Sequence, residues 1–199
     1  MSITAQDVKA LRDRTGAGMM ACKSALEEAG GDIDQAVEAL RARGEAQAAK
    51  RAGNAAGEGT VQSYIHSNGK VGVLVELDCE TDFVARNDNF IGFAKDIALH
   101  IAGSPGTLAV TDADVPSDVL ESERRIATEK AAERPENVRD RVIDGLIESY
   151  LKDVVLLRQK HVNEEKYGGK TIEELRAKLA ADTGENVVIR RFTRFQIGE

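Results

Sequence analysis

The segment that most constrains the fold lies between Val61 and Cys79, where two apolar runs flank Ser67-Asn68-Gly69. Asn-Gly suits the left-handed backbone of a tight turn, so Val61 to Ile65 and Val71 to Cys79 are predicted to pair as a hairpin. Val71, Val73, Val75, Leu77 and Cys79 recur at every second position and share one face. Cys79 is therefore expected to point into a core, with Glu76 and Asp78 on the other face.

Upstream the apolar period is helical. Thr4 with Asp7 reads as a capping-box variant ahead of Val8 and Leu11, and this helix is expected to stop at Gly16-Ala17-Gly18. A second, from Met19 to about Ala29, offers Met20, Ala25, Leu26 and Ala29 and stops at Gly30-Gly31. Asp32 with Gln35 caps a third, in which Ile33, Val37 and Leu40 fall at helical spacing and Ala36 fills in. Residues 1–44 thus read as a three-helix bundle. Residues 45–59, rich in Ala, Gly and basic side chains, read as a linker that is helical in its first part.

Residues 60–199 read as a second domain. A helix from about Asn87 carries Phe90, Phe93, Ala94, Ile97 and Ile101, and is expected to end before Gly103-Ser104-Pro105. From Pro116 to about Arg158 the chain is charged and helical, with Val138, Val142, Leu146 and Tyr150 as a stripe. Thr171 with Glu174 opens a helix through Ile172, Leu175 and Leu179. The run from Asn186 to Ile197 is suited to a third strand beside the hairpin. The expected class is α+β: a three-helix bundle, then a core domain with a three-stranded antiparallel sheet and helices.

Composition narrows the function. The net charge of −7 disfavours direct nucleic-acid binding, whose affinity comes largely from neutralised phosphates. Arg190, Arg191 and Arg194 alternate with Phe192 and Phe195. That pattern suits either a stacking platform for single strands or an ordinary strand with buried aromatics and acid-paired arginines. Cys22 and Cys79 lack CxxC spacing and read as buried reduced thiols. Met1-Ser2-Ile3-Thr4 lacks a signal-peptide layout, and no apolar run spans a membrane, so a soluble cytoplasmic protein is expected. His66, His100 and His161 lie far apart without metal-ligand spacing, and no nucleophile elbow occurs, so no catalytic residue, metal or cofactor is assigned. The stretch ending in Lys23-Ser24 resembles a phosphate loop only in its last residues, because Lys23 stands where the second glycine belongs.

Two features remain. Met19 and Met20 point about 100° apart on a helix, so at least one is expected in solvent, and both core packing and partner contact fit the pair. Thr81-Asp82-Phe83-Val84-Ala85-Arg86 places two large apolar residues in a connection between a strand and a helix. Phe83 either plugs its own domain or awaits a pocket on a partner.

At these residues the sequence resembles the elongation factor Ts family. Val8 to Met20 looks like the opening signature, Cys22-Lys23-Ser24-Ala25-Leu26 continues it, and Gly31-Asp32 precedes the third helix. Thr81 to Arg86 looks like the core motif, and Gly184-Glu185-Asn186 leading to Arg191-Phe192 and Gly198-Glu199 looks like the closing strand. The resemblance implies a ubiquitin-associated-like first bundle that docks on elongation factor Tu through Arg12, Met19, Met20 and Lys23. It implies that Thr81, Asp82, Phe83 and Val84 act near the bound magnesium and phosphates, so that GDP is released by nucleotide exchange. Longer members carry a second core module and a coiled coil for which this length leaves no room, and short members pair as homodimers. The sequence departs from the family at Arg158, where an acidic residue is common, and in lacking a Pro after Gln159. A generic ubiquitin-associated-type module with an unrelated second domain accounts for residues 1–44 alone, and a helix-turn-helix nucleic-acid binder is disfavoured by charge.

Overall fold

The computed structural model describes residues 3–15, 17 and 19–198, and of residues 45 and 47–49 the backbone alone. Gly16 and Gly18 of the expected first stop, and Glu199 of the closing motif, lie outside the described residues. The chain divides into two compact units. One comprises Met1–Gly59, Cys79–Ala85 and Arg176–Val188, and the other comprises Thr60–Asp78, Arg86–Leu175 and Ile189–Glu199.

The first unit opens with α1 (Ala5–Thr15), α2 (Met19–Glu28) and α3 (Ile33–Arg51). Thr4 and Asp7 form the expected reciprocal cap: the Asp7 N–H donates to Thr4 Oγ1 and the Thr4 N–H to Asp7 Oδ2. The Asp32 carboxylate accepts from the Asp34 and Gln35 N–H groups and starts α3. Between these helices Gly30 (φ 61°) and Gly31 (φ 91°) occupy left-handed backbone, where a side chain would be strained. Val8, Leu11, Cys22, Ala25, Leu26 and Ala36 form the buried core, with Ile33, Val37 and Leu40 half-buried against it. Ala36, expected only to fill in, is fully buried, while the larger Ile33, Val37 and Leu40 stay half-buried around it. Further along α3, a Cβ at Gly44 would stand 2.8 Å from the Ala181 Cβ, so the helix passes too close for any larger residue.

In the second unit the hairpin forms as predicted, from β1 (Glu58–Ile65) and β2 (Val71–Cys79), with Gly69 at φ 67° in the turn. The third strand, β3 (Val188–Gln196), completes an antiparallel sheet of order β1-β2-β3. Val73, Val75, Leu77 and Cys79 are buried, as their alternation requires. The other face pairs Asp78 with Arg190 and Glu76 with Arg191, and exposes Val61, Ile65, Leu74 and Phe195. Arg190 and Arg191 thus pair with acids as the ordinary-strand reading expects, whereas Arg194 donates to Gln196 Oε1 and Phe195 is 69% exposed rather than buried.

A one-turn helix, α4 (Asp82–Ala85), and α5 (Asp88–Gly103) follow β2. Asn87 caps α5 by accepting from the Asn89 N–H, and the expected stripe from Phe90 to Ile101 is buried. The helix continues through Gly103 instead of stopping before it. Next come α6 (Ser117–Ala131) and α7 (Arg139–Val154), which pack together around Ala127, Ile147, Leu151 and Val154. The expected α7 stripe is out of phase: Leu146 and Tyr150 are only half-buried, and Val138 lies in a single 3-10 turn before the helix. Short α8 (Glu164–Tyr167) precedes α9 (Ile172–Thr183), which opens with the Thr171–Glu174 capping box as predicted. Among the described residues no helix is long and apolar enough to cross a membrane.

Candidate functional site

The Thr81–Arg86 motif begins where β2 runs out of partners. Thr81 accepts at its carbonyl from the Ala85 N–H at 3.1 Å, closing the single turn of α4. The Cys79 thiol donates to the same carbonyl at 3.2 Å. Ala85 is buried, so the turn has one inward anchor. Phe83 points away from it and is 85% exposed, whereas Asp82 and Val84 are half-buried. The plug reading of Phe83 therefore falls. A ring held in its own domain would be covered, and this one leaves nearly all its apolar surface in water.

The turn is held by residues from a distant part of the chain. Glu185 Oε2 accepts from both the Glu80 and the Thr81 N–H at 3.0 Å, and Glu185 Oε1 accepts from the Thr81 hydroxyl at 2.6 Å. Gly184, at φ 71°, ends α9 and turns the chain so that Glu185 reaches the loop. In return the Asn186 N–H donates to Glu80 Oε1 at 2.7 Å, and Asn54 and Arg51 donate to the same carboxylate. The Asn186 N–H, followed by Asn54 and Arg51, holds the Glu80 carboxyl below its ordinary range. The Asn186 amide reaches the Asn54 carbonyl at 2.9 Å, at the end of α3. Sequence reasoning placed Glu185 and Asn186 only in the closing motif. Their partners lie about a hundred positions upstream, and no local spacing signals such a clasp.

On α2, Met19 is 57% and Met20 77% exposed, so both lie in solvent rather than one in the core. Lys23 is also exposed, and at the spacing of four and three residues it shares their side of the helix, where it pairs with Glu27 at 3.8 Å. Arg12 is exposed on α1. The structure thus brings Met19, Met20 and Lys23 onto one helix face and Thr81 to Val84 onto one turn.

Other candidates resolve into structural roles. His100 and His161, distant in sequence, lie with ring centroids 5.3 Å apart in the second unit. Each accepts a backbone N–H at Nδ1, from Val162 and Asn163 respectively. Each donates at Nε2, His100 to Gln159 Oε1 at 2.8 Å and His161 to the Asp96 carbonyl at 3.1 Å. Burial pushes both below the ordinary histidine value, so they are neutral packing residues. Among the described residues no group of three His, Cys, Asp or Glu side chains is arranged to hold a metal. Arg158, noted as a departure, donates to Asp112 Oδ1 and Glu148 Oε2, each at 2.7 Å, so its local partners are acids.

A family model described as Elongation factor TS matches residues 5–168. A protein of Geobacter metallireducens named Elongation factor Ts is 48% identical over 201 residues, covering 100% of this chain and 91% of the relative. One of the same name from Thermoanaerobacter sp. is 49% identical over 199 residues, covering 99% and 96%. One from Caldanaerobacter subterraneus subsp. tengcongensis is 48% identical over 199 residues, covering 99% and 98%.

Proposed function

The chain belongs to the elongation factor Ts family of translation elongation factors, and from that premise we propose that it is the guanine-nucleotide exchange factor for elongation factor Tu. It binds the GDP form and promotes GDP release by disturbing the magnesium and phosphate site, and it makes and breaks no covalent bond. The observation that carries this reading is the 85% exposure of Phe83 on a turn whose entry is clasped by Glu185 and whose last residue, Ala85, is buried. An apolar ring offered to solvent on a fixed support suits insertion into a pocket of another protein better than any role in its own fold.

Linkage supplies the thermodynamics. A factor that binds the nucleotide-free GTPase more tightly than the GDP form weakens GDP binding by the same ratio. Each tenfold of loosening needs about 1.4 kcal/mol of differential affinity. Phe83 and Val84 provide the apolar part by displacing partner side chains, while Asp82 acts toward the magnesium ligation and Thr81 sets the start of the turn. The ubiquitin-associated-like bundle of residues 1–44 docks on the GTPase domain through Arg12, Met19, Met20 and Lys23. The two methionines supply an adaptable apolar contact there.

The protein acts in the cytoplasm as a homodimer. The exposed face of the sheet, with Val61, Ile65, Leu74 and Phe195, supports pairing of two copies, because such a face in water is a standing association site. The test of the exchange function is release of fluorescent GDP from a translational GTPase on addition of this chain. Release that stays at the spontaneous rate at every concentration of the chain refutes it.

A further inference from the structure

We propose that Glu185 is a positioning residue for exchange, fixing the turn that presents Phe83; the inference rests on the reading above of Phe83 as a wedge that enters a pocket on the GTPase. A four-residue helix cannot hold its own shape, because nucleation costs more than one hydrogen bond returns. The shape of α4 must therefore be imposed from outside. Glu185 does this at the point where the turn begins. Its two carboxylate oxygens take up the Glu80 N–H, the Thr81 N–H and the Thr81 hydroxyl, all within 3.0 Å. The two N–H groups belong to successive residues and converge on one oxygen, which fixes both the position and the direction of the chain entering α4. The clasp is reciprocal, since the next residue, Asn186, returns its own N–H to the Glu80 carboxylate. Asn186 also holds the carbonyls of Ala52 and Asn54, so the loop is registered against the end of α3.

A wedge transmits force only if its base resists. An untied loop would let Phe83 retreat when it met the partner, and the binding energy would go into ordering the loop instead of opening the nucleotide site. Glu185 touches neither nucleotide nor magnesium in this account and acts only through Thr81 and α4.

The experiment measures GDP release from a translational GTPase against concentration of the full chain, for Glu185→Ala, Glu185→Gln, Phe83→Ala and the double variant Phe83→Ala/Glu185→Ala. Glu185→Ala is expected to lower the maximal release rate about tenfold while leaving the concentration for half-maximal rate within about twofold, because the α1 and α2 contacts are untouched. A glutamine can still accept both N–H groups at its carbonyl and donate its amide to the Thr81 hydroxyl, so Glu185→Gln should restore the rate to within about threefold. In the Phe83→Ala background, Glu185→Ala should cost clearly less than the tenfold it costs alone, since much of its effect passes through the ring already removed and only the part carried by Asp82 and Val84 on the same turn remains. Glu185→Asp, one methylene shorter, keeps the charge but withdraws the acceptors; it should lose rate as Glu185→Ala does, and it serves where Glu185→Ala does not fold. Full rate for Glu185→Ala or Glu185→Asp, no rescue by Glu185→Gln, or an undiminished tenfold loss in the Phe83→Ala background would each overturn the positioning role. Full rate for Phe83→Ala alone would instead overturn the wedge reading beneath it.

Discussion

Phe83→Ala separates stability from function because the two draw on different surfaces of one ring. An aromatic side chain has about 200 Å² to bury, and with 85% of Phe83 in water only about 30 Å² is covered by its own domain. At about 25 cal/mol per Å² the folded protein loses less than about 1 kcal/mol on truncation. For a chain of this size that lowers the melting temperature by about 3 °C at most. Against a pocket on the GTPase the account reverses. Full burial of a Phe side chain is worth about 1.5–3 kcal/mol, or roughly ten- to a hundredfold in the equilibrium it favours. If that contact is made only with the nucleotide-free form, the whole of it appears as lost exchange. Thermal melting and fluorescent GDP release on the same preparation read both quantities. A variant that melts many degrees lower and exchanges normally would show that the ring is structural and would refute the reasoning.

Three further outcomes are expected. Met19→Ala/Met20→Ala should melt nearly unchanged, since both side chains are exposed, and should require more protein for half-maximal exchange; a titration of release rate against concentration checks this. Phe195→Asp should shift light scattering from dimer toward monomer by placing a charge on the exposed sheet face, and an unchanged mass would remove that face from the dimer. His100 and His161 are held below the ordinary value of 6.5, so the folded form resists protons that the unfolded chain accepts. Their contribution to stability is complete above that value and declines as pH falls below it toward the lowered folded values, so the melting temperature should drop between about pH 7 and pH 5. Asp96, Lys166 and Tyr167 face His161, and Gln159 faces His100; His161→Asn, which keeps an acceptor for the Asn163 N–H, should flatten the drop.

What the sequence disclosed follows the range of the interactions involved. The Thr4–Asp7 and Thr171–Glu174 caps, the Asn-Gly turn and the α5 stripe are all set by residues within a few positions, and each stands where the local pattern puts it. The α7 stripe failed for a definite reason. Apolar residues at 142, 143, 146, 147, 150, 151 and 154 form two overlapping helical stripes about 100° apart, and only the position of α6 selects the one through Ile147, Leu151 and Val154. Phe83 shows the same limit at the site. Its identity and its place between strand and helix were legible, but plug and wedge demand the same residue and differ only in tertiary burial. The Glu185 clasp was not legible, because it joins positions 104 to 106 residues apart and uses backbone N–H groups that every sequence possesses.

The two apolar surfaces of the first unit differ in a way that matches different tasks. Met19 and Met20 are unbranched and flexible, and they stand on a full helix whose own core of Cys22, Ala25 and Leu26 holds it without outside help. A partner can meet them in several side-chain arrangements, which suits docking. Phe83 is a flat ring with few rotamers, and its one-turn support has no core beyond Ala85. It therefore depends on Thr81, Glu80, Glu185 and Asn186 for its rigidity. An adaptable contact tolerates differences between the GDP form and the empty form of a GTPase, so it favours neither strongly. A rigid contact fits one form and strains the other, and only such a difference in affinity can shift the nucleotide equilibrium. Under the proposed exchange function, the methionines would govern how much protein is needed, and the clasped phenylalanine would govern how far GDP is loosened.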